Sequence, residues 1–401
     1  MIKIGILREG KTPPDSRVTL TPTQCGKLNQ QGIDIVVQPS PIRCFPDQDY
    51  IDNGVTLQED MSDRDFLIGV KEVQIDDLID NKSYFFFSHT IKEQSYNQKL
   101  LKVIVEKRIR LIDYEVLTNE KGSRVIAFGK FAGMVGAYNA LWTYGKKTQT
   151  IDMPRLKDLH DYTEAKKIFK KISIPKVKIV LTGTGRVSGG AALVLDDMGI
   201  KKVSPLDYLM NDYDEAVYTQ LSSFFYTKRK DGKMCNSPHD FYNNPKEYQS
   251  EFSHFLTMSD IMINGIYWDN DAPKFFTKEQ MSTPDFNLKV IADVTCDIAP
   301  ISSIPSTIKA STIANPVFGY DPITHKETLP YTDNCVDMMT IDNLPNELPR
   351  DASKAFGEMF IEHVLNELNV KNSTLIEKAT IAKDGNLGKH FEYLRNYLNG
   401  K

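Results

Sequence analysis

Four groups of ionisable residues each follow a short apolar run. Arg8 comes after residues 2–7, with Arg17 further along the same loop. Lys71-Glu72 follows 66–70, and Ser88-His89-Thr90-Ile91-Lys92 follows 84–87. Tyr114-Glu115 follows 110–113. If the runs are strands of a parallel sheet, their carboxyl ends are where a ligand gathers, and one cleft could collect all four groups. A lysine and a histidine placed there suit proton transfer near neutrality. Arginine suits carboxylates, because its planar fork binds them through two parallel hydrogen bonds. A charged residue after a strand is ordinarily just solvated, and His89 or Lys71 alone says little. The shared placement gives them weight. In the second half, Asn264-Gly265-Ile266-Tyr267 and Asp293 stand at equivalent strand ends.

A second kind of chemistry is written around residue 183. A five- or six-residue apolar run, 177–182, leads into Gly183-Thr184-Gly185-Arg186-Val187-Ser188-Gly189-Gly190. A helix is expected over 191–198, stopped by Gly199, then a short strand at 202–205 and Asp207. This is the order of a dinucleotide fold. The first glycine allows a tight turn, the second lets backbone approach a pyrophosphate, and the helix start offers unpaired N–H groups. Ser188 stands where the pattern usually has its third glycine. Asp207 lies 24 positions after Gly183, near the expected place of an acid on the adenosine ribose. An acid there favours the free 2′-hydroxyl of NAD over the phosphate of NADP. A bare Gly-x-Gly would fit a turn in any α/β domain; strand, helix and acid together favour the nucleotide.

These residues need a frame that sets them at strand ends. Strands are expected at 2–7, 33–37, 66–70, 84–87 and 110–114, with a helical pattern over 93–107 between the last two. Strand–helix alternation with near-continuous apolar strands implies a parallel sheet covered on both faces. Residues 128–144, rich in Gly and Ala, read as a long helix able to lie close against other backbones and to lead from one domain to the next. A second α/β series starts at 177, with later strands at 261–263 and 288–292. The charged, aromatic stretch 210–259 reads as inserted surface helices and loops. The last part reads as helix over 352–370, followed by an amphipathic turn or two.

The chain has 401 residues, enough for two domains. Its 49 basic and 53 acidic residues nearly balance, and no basic block is interleaved with aromatics, so no nucleic-acid partner is expected. Cys25, Cys44, Cys235, Cys296 and Cys335 form no Cys-x-x-Cys pair. They read as reduced thiols, with neither a disulfide frame nor a metal site. No apolar window reaches the length of a membrane span, and the first residues do not read as a signal peptide. A cytoplasmic protein without a membrane partner is expected.

The blocks Gly69-Val70-Lys71, Phe85-Phe86-Phe87-Ser88-His89-Thr90-Ile91-Lys92, Arg110-Leu111-Ile112-Asp113-Tyr114-Glu115 and Arg124-Val125-Ile126-Ala127-Phe128-Gly129 resemble the lysine–ketoglutarate reductase family. So do Gly183-Thr184-Gly185, Ile263-Asn264-Gly265-Ile266-Tyr267-Trp268 and Ile341-Asp342-Asn343-Leu344-Pro345. The lysine-forming saccharopine dehydrogenases are similar but more distant, and the alanine dehydrogenases share only the layout of Arg17, Lys71 and His89.

The resemblance implies an NAD(P)-dependent oxidoreductase that interconverts saccharopine with L-lysine and 2-oxoglutarate. It implies an α/β fold of two Rossmann-like lobes with parallel sheets and an active-site cleft between them. Residues 1–135 with 344–401 would form the catalytic domain, like the N-terminal domain of alanine dehydrogenases, and 136–343 the dinucleotide-binding domain. Lys71 and His89 would move protons, with Glu115 and Asp342 as the acids that hold and tune them. Arg17, Lys92 and Arg124 would meet substrate carboxylates, although the family also pairs the Arg17 position with that of Asp342. Gly183, Gly185, Arg186, Ser188, Asp207, Ile266 and Tyr267 would hold the coenzyme, NAD by the reading of Asp207, with NADP used by some relatives. Fungal relatives carry two cysteines near the glycine turn; Val187 and Gly265 stand here, so that bridge is not expected. Animal and plant relatives add a saccharopine-cleaving enzyme after this region, which is not expected of a chain ending at Lys401. A homo-oligomer is compatible with all of this. The rival readings are another amino-acid dehydrogenase, of alanine dehydrogenase type, and a non-catalytic nucleotide sensor.

Overall fold

A computed structural model describes residues 2–234 and 237–400; Cys235 and Lys401 lie outside the described residues. The chain divides into two compact units, Met1–Phe128 with Pro349–Lys401, and Gly129–Leu348. The first break falls where the long helix begins, so that helix belongs wholly to the second unit.

The first unit is built on β1 (Lys3–Ile6), β2 (Asp34–Val37), β3 (Thr56–Leu57), β4 (Phe66–Ile68), β5 (Ser83–Phe86) and β6 (Arg110–Asp113). They lie parallel in the order β3-β2-β1-β4-β5-β6. Alternate residues feed two cores. Ile4, Ile6, Phe85 and Ile112 face one that also holds Tyr114, Phe356 and Phe360. Leu67, Tyr84, Phe86 and Leu111 face the other, with Leu101 and Ile104. Burial on both faces explains why the strands read as unbroken apolar runs. Two antiparallel strands not expected from the sequence, Thr380–Lys383 and Asn386–Leu387, extend the sheet beyond β6. The strand order runs outward from β1 on both sides, to β2 and β3 one way and to β4, β5 and β6 the other, so the crevice at the carboxyl ends of β1 and β4 is the binding place that topology favours.

The second unit contains β7 (Lys178–Thr182), β8 (Lys201–Lys202), β9 (Val217–Leu221), a hairpin of β10 (Thr227–Arg229) and β11 (Tyr248–Ser250), β12 (Ile261–Asn264), β13 (Val290–Asp293), β14 (Val317–Asp321), β15 (Lys326–Thr328) and β16 (Val336–Met339). The sheet order is β15-β14-β16-β13-β12-β7-β9-β8, parallel from β16 to β8, with β14 and β15 antiparallel. The segment 210–259 was expected to be surface insertion. It includes β9, the immediate neighbour of β7, because Val217, Tyr218, Thr219 and Leu221 are all buried despite the charged residues around them.

Helix Gly129–Thr148 lies against helix Arg186–Asp197 at backbone distance. A Cβ on Gly133 would sit 1.7 Å from the carbonyl oxygen of Val187, and one on Gly190 1.9 Å from that of Lys130. Only glycine permits that approach. It fixes the helix whose N-terminus carries the glycine turn. Among the described residues, no helix is long and apolar enough to cross a membrane.

Candidate active site

In the first unit, the carboxyl ends of β1, β4, β5 and β6 bring together most of the expected acid–base residues. Lys71 follows β4. Its amine is pushed down to about 8, first by burial and then by the positive charges of Arg17 and Lys11. Asp15 and Glu72 oppose that lowering. Burial and neighbouring cations are the two ways to make a lysine a base near neutrality.

The next residue, Glu72, accepts from His89 Nδ1 at 2.5 Å, and Lys11 Nζ lies 3.5 Å from its other oxygen. Burial alone would raise this carboxyl. The hydrogen bond and charge of His89 outweigh burial and hold it at about 2. A carboxylate on Nδ1 fixes the imidazole tautomer and leaves Nε2 as the exchanging nitrogen. The backbone of His89 is left-handed, φ 53°, a conformation that costs free energy in a non-glycine residue and tends to persist where function needs it. It turns the chain into a short 3-10 helix, Thr90–Lys92. Ser88 donates from its N–H and hydroxyl to the buried Asp113 carboxylate, at 2.9 and 2.5 Å, which anchors the turn to β6.

Of the two acids expected to tune the pair, Glu115 pairs with other residues of the first unit, and Asp342 belongs to the second unit. Glu115 lies 3.0 Å from Arg124 Nη2 and 3.5 Å from Lys92 Nζ. Its second oxygen is buried without a hydrogen-bond partner among the described residues. Glu72, not Glu115, holds His89. Asp342 is exposed in the second unit, where its charge acts on Cys296. Arg17 is buried and donates from Nε and Nη2 to Asp15 at 2.9 and 2.5 Å, its guanidinium 4.2 Å above the Phe128 ring. Its fork is taken up by Asp15, so it acts on Lys71 as a fixed charge. Lys92 and Arg124 are about half exposed, on either side of the buried Glu115 carboxyl.

Glu9 was missed by the sequence. Its carboxyl is buried and accepts from the N–H groups of Val70 and Lys71 at 2.6 and 2.8 Å, pinning the backbone that carries the lysine. Burial and the nearby Asp15 push it up to about 8. Its sequence signal is Arg8-Glu9-Gly10 shortly after β1, but a glutamate three residues beyond a strand reads as solvated. Glu72 was passed over because it adjoins the more conspicuous Lys71.

In the second unit, Gly183 has φ 94° and accepts no Cβ, which would meet Ser188 Oγ at 2.6 Å and the Gly265 carbonyl at 2.8 Å. A Cβ on Gly185 would point into open space at the start of helix Arg186–Asp197. That is the cradle a pyrophosphate needs, with Thr184, Gly185 and Arg186 exposed beside it. Ser188 does not face a ligand: its hydroxyl serves the carbonyls of Thr182 and Gly265, both at 3.0 Å. Ile266 is half-buried against the core, and Tyr267 is exposed next to a small aromatic cavity lined by Tyr226, Phe241, Trp268 and Phe275.

Asp207 is not at the end of the strand beside β7. That strand is β9; β8 lies outside it, and Asp207 sits beyond β8 in the first turn of helix Pro205–Met210. Its N–H and carboxylate are both engaged by Ser204 Oγ.

This architecture is that of the alanine dehydrogenases. Residues 5–135 match the family model for the alanine dehydrogenase/PNT N-terminal domain. The fold superposes on an L-alanine dehydrogenase with a TM-score of 0.67 and 16% identity, covering 100% of this chain and 99% of that one. In sequence the chain is homologous to the lysine-forming saccharopine dehydrogenases and to the aminoadipic semialdehyde synthases. It is 28% identical to the NAD(+)-dependent, L-lysine-forming saccharopine dehydrogenase of Neurospora crassa, over 91% of each chain. It is 28% identical to the mitochondrial alpha-aminoadipic semialdehyde synthase of Rattus norvegicus, over 98% of this chain and 47% of that protein. The chain thus spans about half the length of those synthases.

Proposed function

We propose that the protein interconverts saccharopine with L-lysine and 2-oxoglutarate, exchanging a hydride with a nicotinamide dinucleotide, NAD being the coenzyme named in the fungal relatives. The observation that carries this is Glu72, whose charge acts on the Lys71 amine, itself lowered to about 8, and whose carboxylate holds His89. The whole-length similarity to lysine-forming enzymes supports the substrate.

The coenzyme, when bound, takes or gives the hydride at the carbon bearing the secondary amine. The backbone N–H groups after Gly183 and Gly185 would hold its pyrophosphate. Everything else is proton management. In the direction of lysine formation, Lys71 as free amine accepts the proton of the secondary amine while hydride leaves the adjacent carbon. His89 then takes a proton from the water that attacks the imine and passes it to the nitrogen, and it relays the carbinolamine hydroxyl proton to the same nitrogen as the C–N bond breaks, leaving the ketone of 2-oxoglutarate and the amine of lysine. Glu72 keeps the imidazole in one tautomer and stabilises its cationic form. Lys92 and Arg124 receive substrate carboxylates. Glu115 holds those two cations in place.

The test is oxidation of NADH and NADPH by the purified chain with L-lysine and 2-oxoglutarate. Turnover that requires both substrates is expected. Turnover with pyruvate and ammonia instead would make it an alanine-type dehydrogenase. Dinucleotide binding with no turnover on any pair would make it a sensor.

A further inference from the structure

The second unit holds a groove lined by none of the residues assigned to the coenzyme. Its volume is about 490 Å³, in the range of small-molecule sites. Trp142, Met153 and Pro154 give it apolar walls, and Lys146, Asp152 and Arg155 give it charge. Trp142 and Lys146 stand one turn apart on helix Gly129–Thr148, so they share a face. The loop that carries the other four is tied to the same helix by Tyr138, whose hydroxyl donates to the Pro154 carbonyl at 2.8 Å. Arg155 is only 9% exposed, and its guanidinium carbon lies 4.9 Å from the centre of the Trp142 ring. Its Nη2 donates to the Glu347 carboxylate and the Ile313 carbonyl, but its Nε is buried with no acceptor among the described residues. The Lys146 ammonium lies 5.8 Å from the centre of the same ring. Lys146 and Asp152 are both exposed, and among the described residues neither makes an ion pair or a hydrogen bond. Asp158, in the same groove, is instead taken up by Lys157 at 2.6 Å. Water satisfies an exposed lysine or aspartate, but a buried guanidinium N–H without an acceptor is costly and calls for a partner. Opposite charges that line one groove without pairing leave space between them for a molecule that carries both.

We propose that this groove binds a free α-amino acid with an aliphatic side chain. The carboxylate sits between Arg155 and Lys146, where a planar guanidinium and a point charge both suit it. The ammonium meets Asp152, and the side chain lies along Trp142 and Pro154. A simple anion would leave Asp152 opposed by nothing, and a simple cation would leave Arg155 and Lys146 so; a zwitterion answers both. The site shares no residue with those assigned above, so it stands or falls apart from the proposed reaction.

The chain has two tryptophans, Trp142 and Trp268, so Trp268→Phe leaves the emission of Trp142 as a reporter inside the groove. The probes are L-norleucine, hexanoate and pentylamine, which offer one hydrocarbon chain with both charges, the negative charge alone and the positive charge alone. Norleucine should change the emission saturably. Pentylamine should bind at least about tenfold more weakly, the worth of a lost charged hydrogen bond. Hexanoate should bind about threefold more weakly or worse, since its missing partner, Asp152, is exposed. Lys146→Met should weaken norleucine by about threefold or more without weakening pentylamine, and Asp152→Asn should do the same without weakening hexanoate. Both substitutions are at exposed side chains, and an unchanged melting temperature will show that the fold survives them. No saturable change with norleucine, hexanoate bound as tightly as norleucine, or norleucine bound equally well by both variants would each overturn the proposal. Should Trp268→Phe not fold, calorimetry on the native chain and on the two surface variants reads the same contrasts.

Discussion

The two units share one architecture and use it in opposite ways. At the carboxyl ends of β1, β4, β5 and β6 the first unit concentrates ionisable groups: Glu9, Lys71, Glu72, His89, Asp113 and Glu115. At the ends of β7, β12 and β13 the second unit has neutral groups around a single buried carboxylate. Thr182 Oγ1 donates to Asn264 Oδ1 at 2.7 Å, Asn264 Nδ2 to Asp293 at 2.9 Å, and Thr295 and Thr307 to Asp293 at 2.7 and 2.6 Å. Burial raises Asp293, but four hydrogen bonds oppose that, and among the described residues no cation pairs with it. A parallel sheet therefore does not dictate chemistry. Charges packed at its strand ends perturb one another's protonation and suit proton transfer. Neutral donors and bare backbone hold the ends rigid and leave N–H groups for a polyanion.

The comparison breaks most visibly at Lys71. Lys71→Met should lower kcat by roughly 10²- to 10⁴-fold, the usual worth of a positioned base. Oxidation of saccharopine by the native protein should rise with pH through about 8, as the amine loses its proton; that limb should vanish in the variant. Stability should move the other way. The folded value lies below the ordinary 10.5, so the charged amine is a cost that is fully present below pH 8 and fades as pH rises toward 10.5. Removing it should leave the melting temperature equal or higher. A variant that loses stability in step with activity would make Lys71 a structural residue.

In the second unit the largest effect should come from backbone packing. Gly133→Ala puts a Cβ 1.7 Å from the Val187 carbonyl, and the helices must part. Replacing a mid-helix glycine returns about 1 kcal/mol of propensity, but overpacking of this kind costs about 1–3 kcal/mol or more, so net destabilisation is expected. Gly189→Ala is the matched control. Nothing lies within 4 Å of its Cβ, so it should stabilise by about 0.5–1 kcal/mol. Melting curves of the two decide it: if both variants melt alike, the close approach of the helices is not what glycine serves here.

Most of the first sheet and the middle of the second were legible, because strands buried on two faces write continuous apolar runs with polar breaks. What escaped was β9, whose five residues sit in a charged stretch, the strands β14, β15 and β16 at the far side of the second sheet, and the strand Thr380–Lys383, which adds at the edge far from its neighbours in sequence. Missing β9 moved Asp207 one strand too close to the glycine turn. Lys71 and His89 were legible as residues, but their partners were not. Glu72 and His89 are 17 positions apart, and Glu9 and Lys71 are 62 apart. Such pairings are decided by which strand ends adjoin, and local pattern carries no trace of them.

The finest test of the comparison is whether charges in the first unit tune one another as the geometry implies. Glu72 raises the Lys71 amine, and Lys11 lowers it. Glu72→Gln should therefore move the alkaline limb of the rate to below pH 8, and Lys11→Met should move it above. Glu72→Gln should also lower kcat by roughly tenfold, since a neutral amide supports the His89 cation poorly. Its effect on stability has a definite sign. A carboxyl held at about 2, against an ordinary 4.5, contributes stability that is present above pH 4.5 and lost as pH falls toward 2. Glu72→Gln should therefore be less stable than the native chain above pH 4.5, and its stability should fall less steeply between pH 4.5 and 2. Opposite displacements of the rate limb in the two variants require Lys71 to titrate within the field of both charges. Displacements of the same sign, or none, would mean that another group sets the pH dependence, and the first unit would then be no more a proton-transfer site than the second.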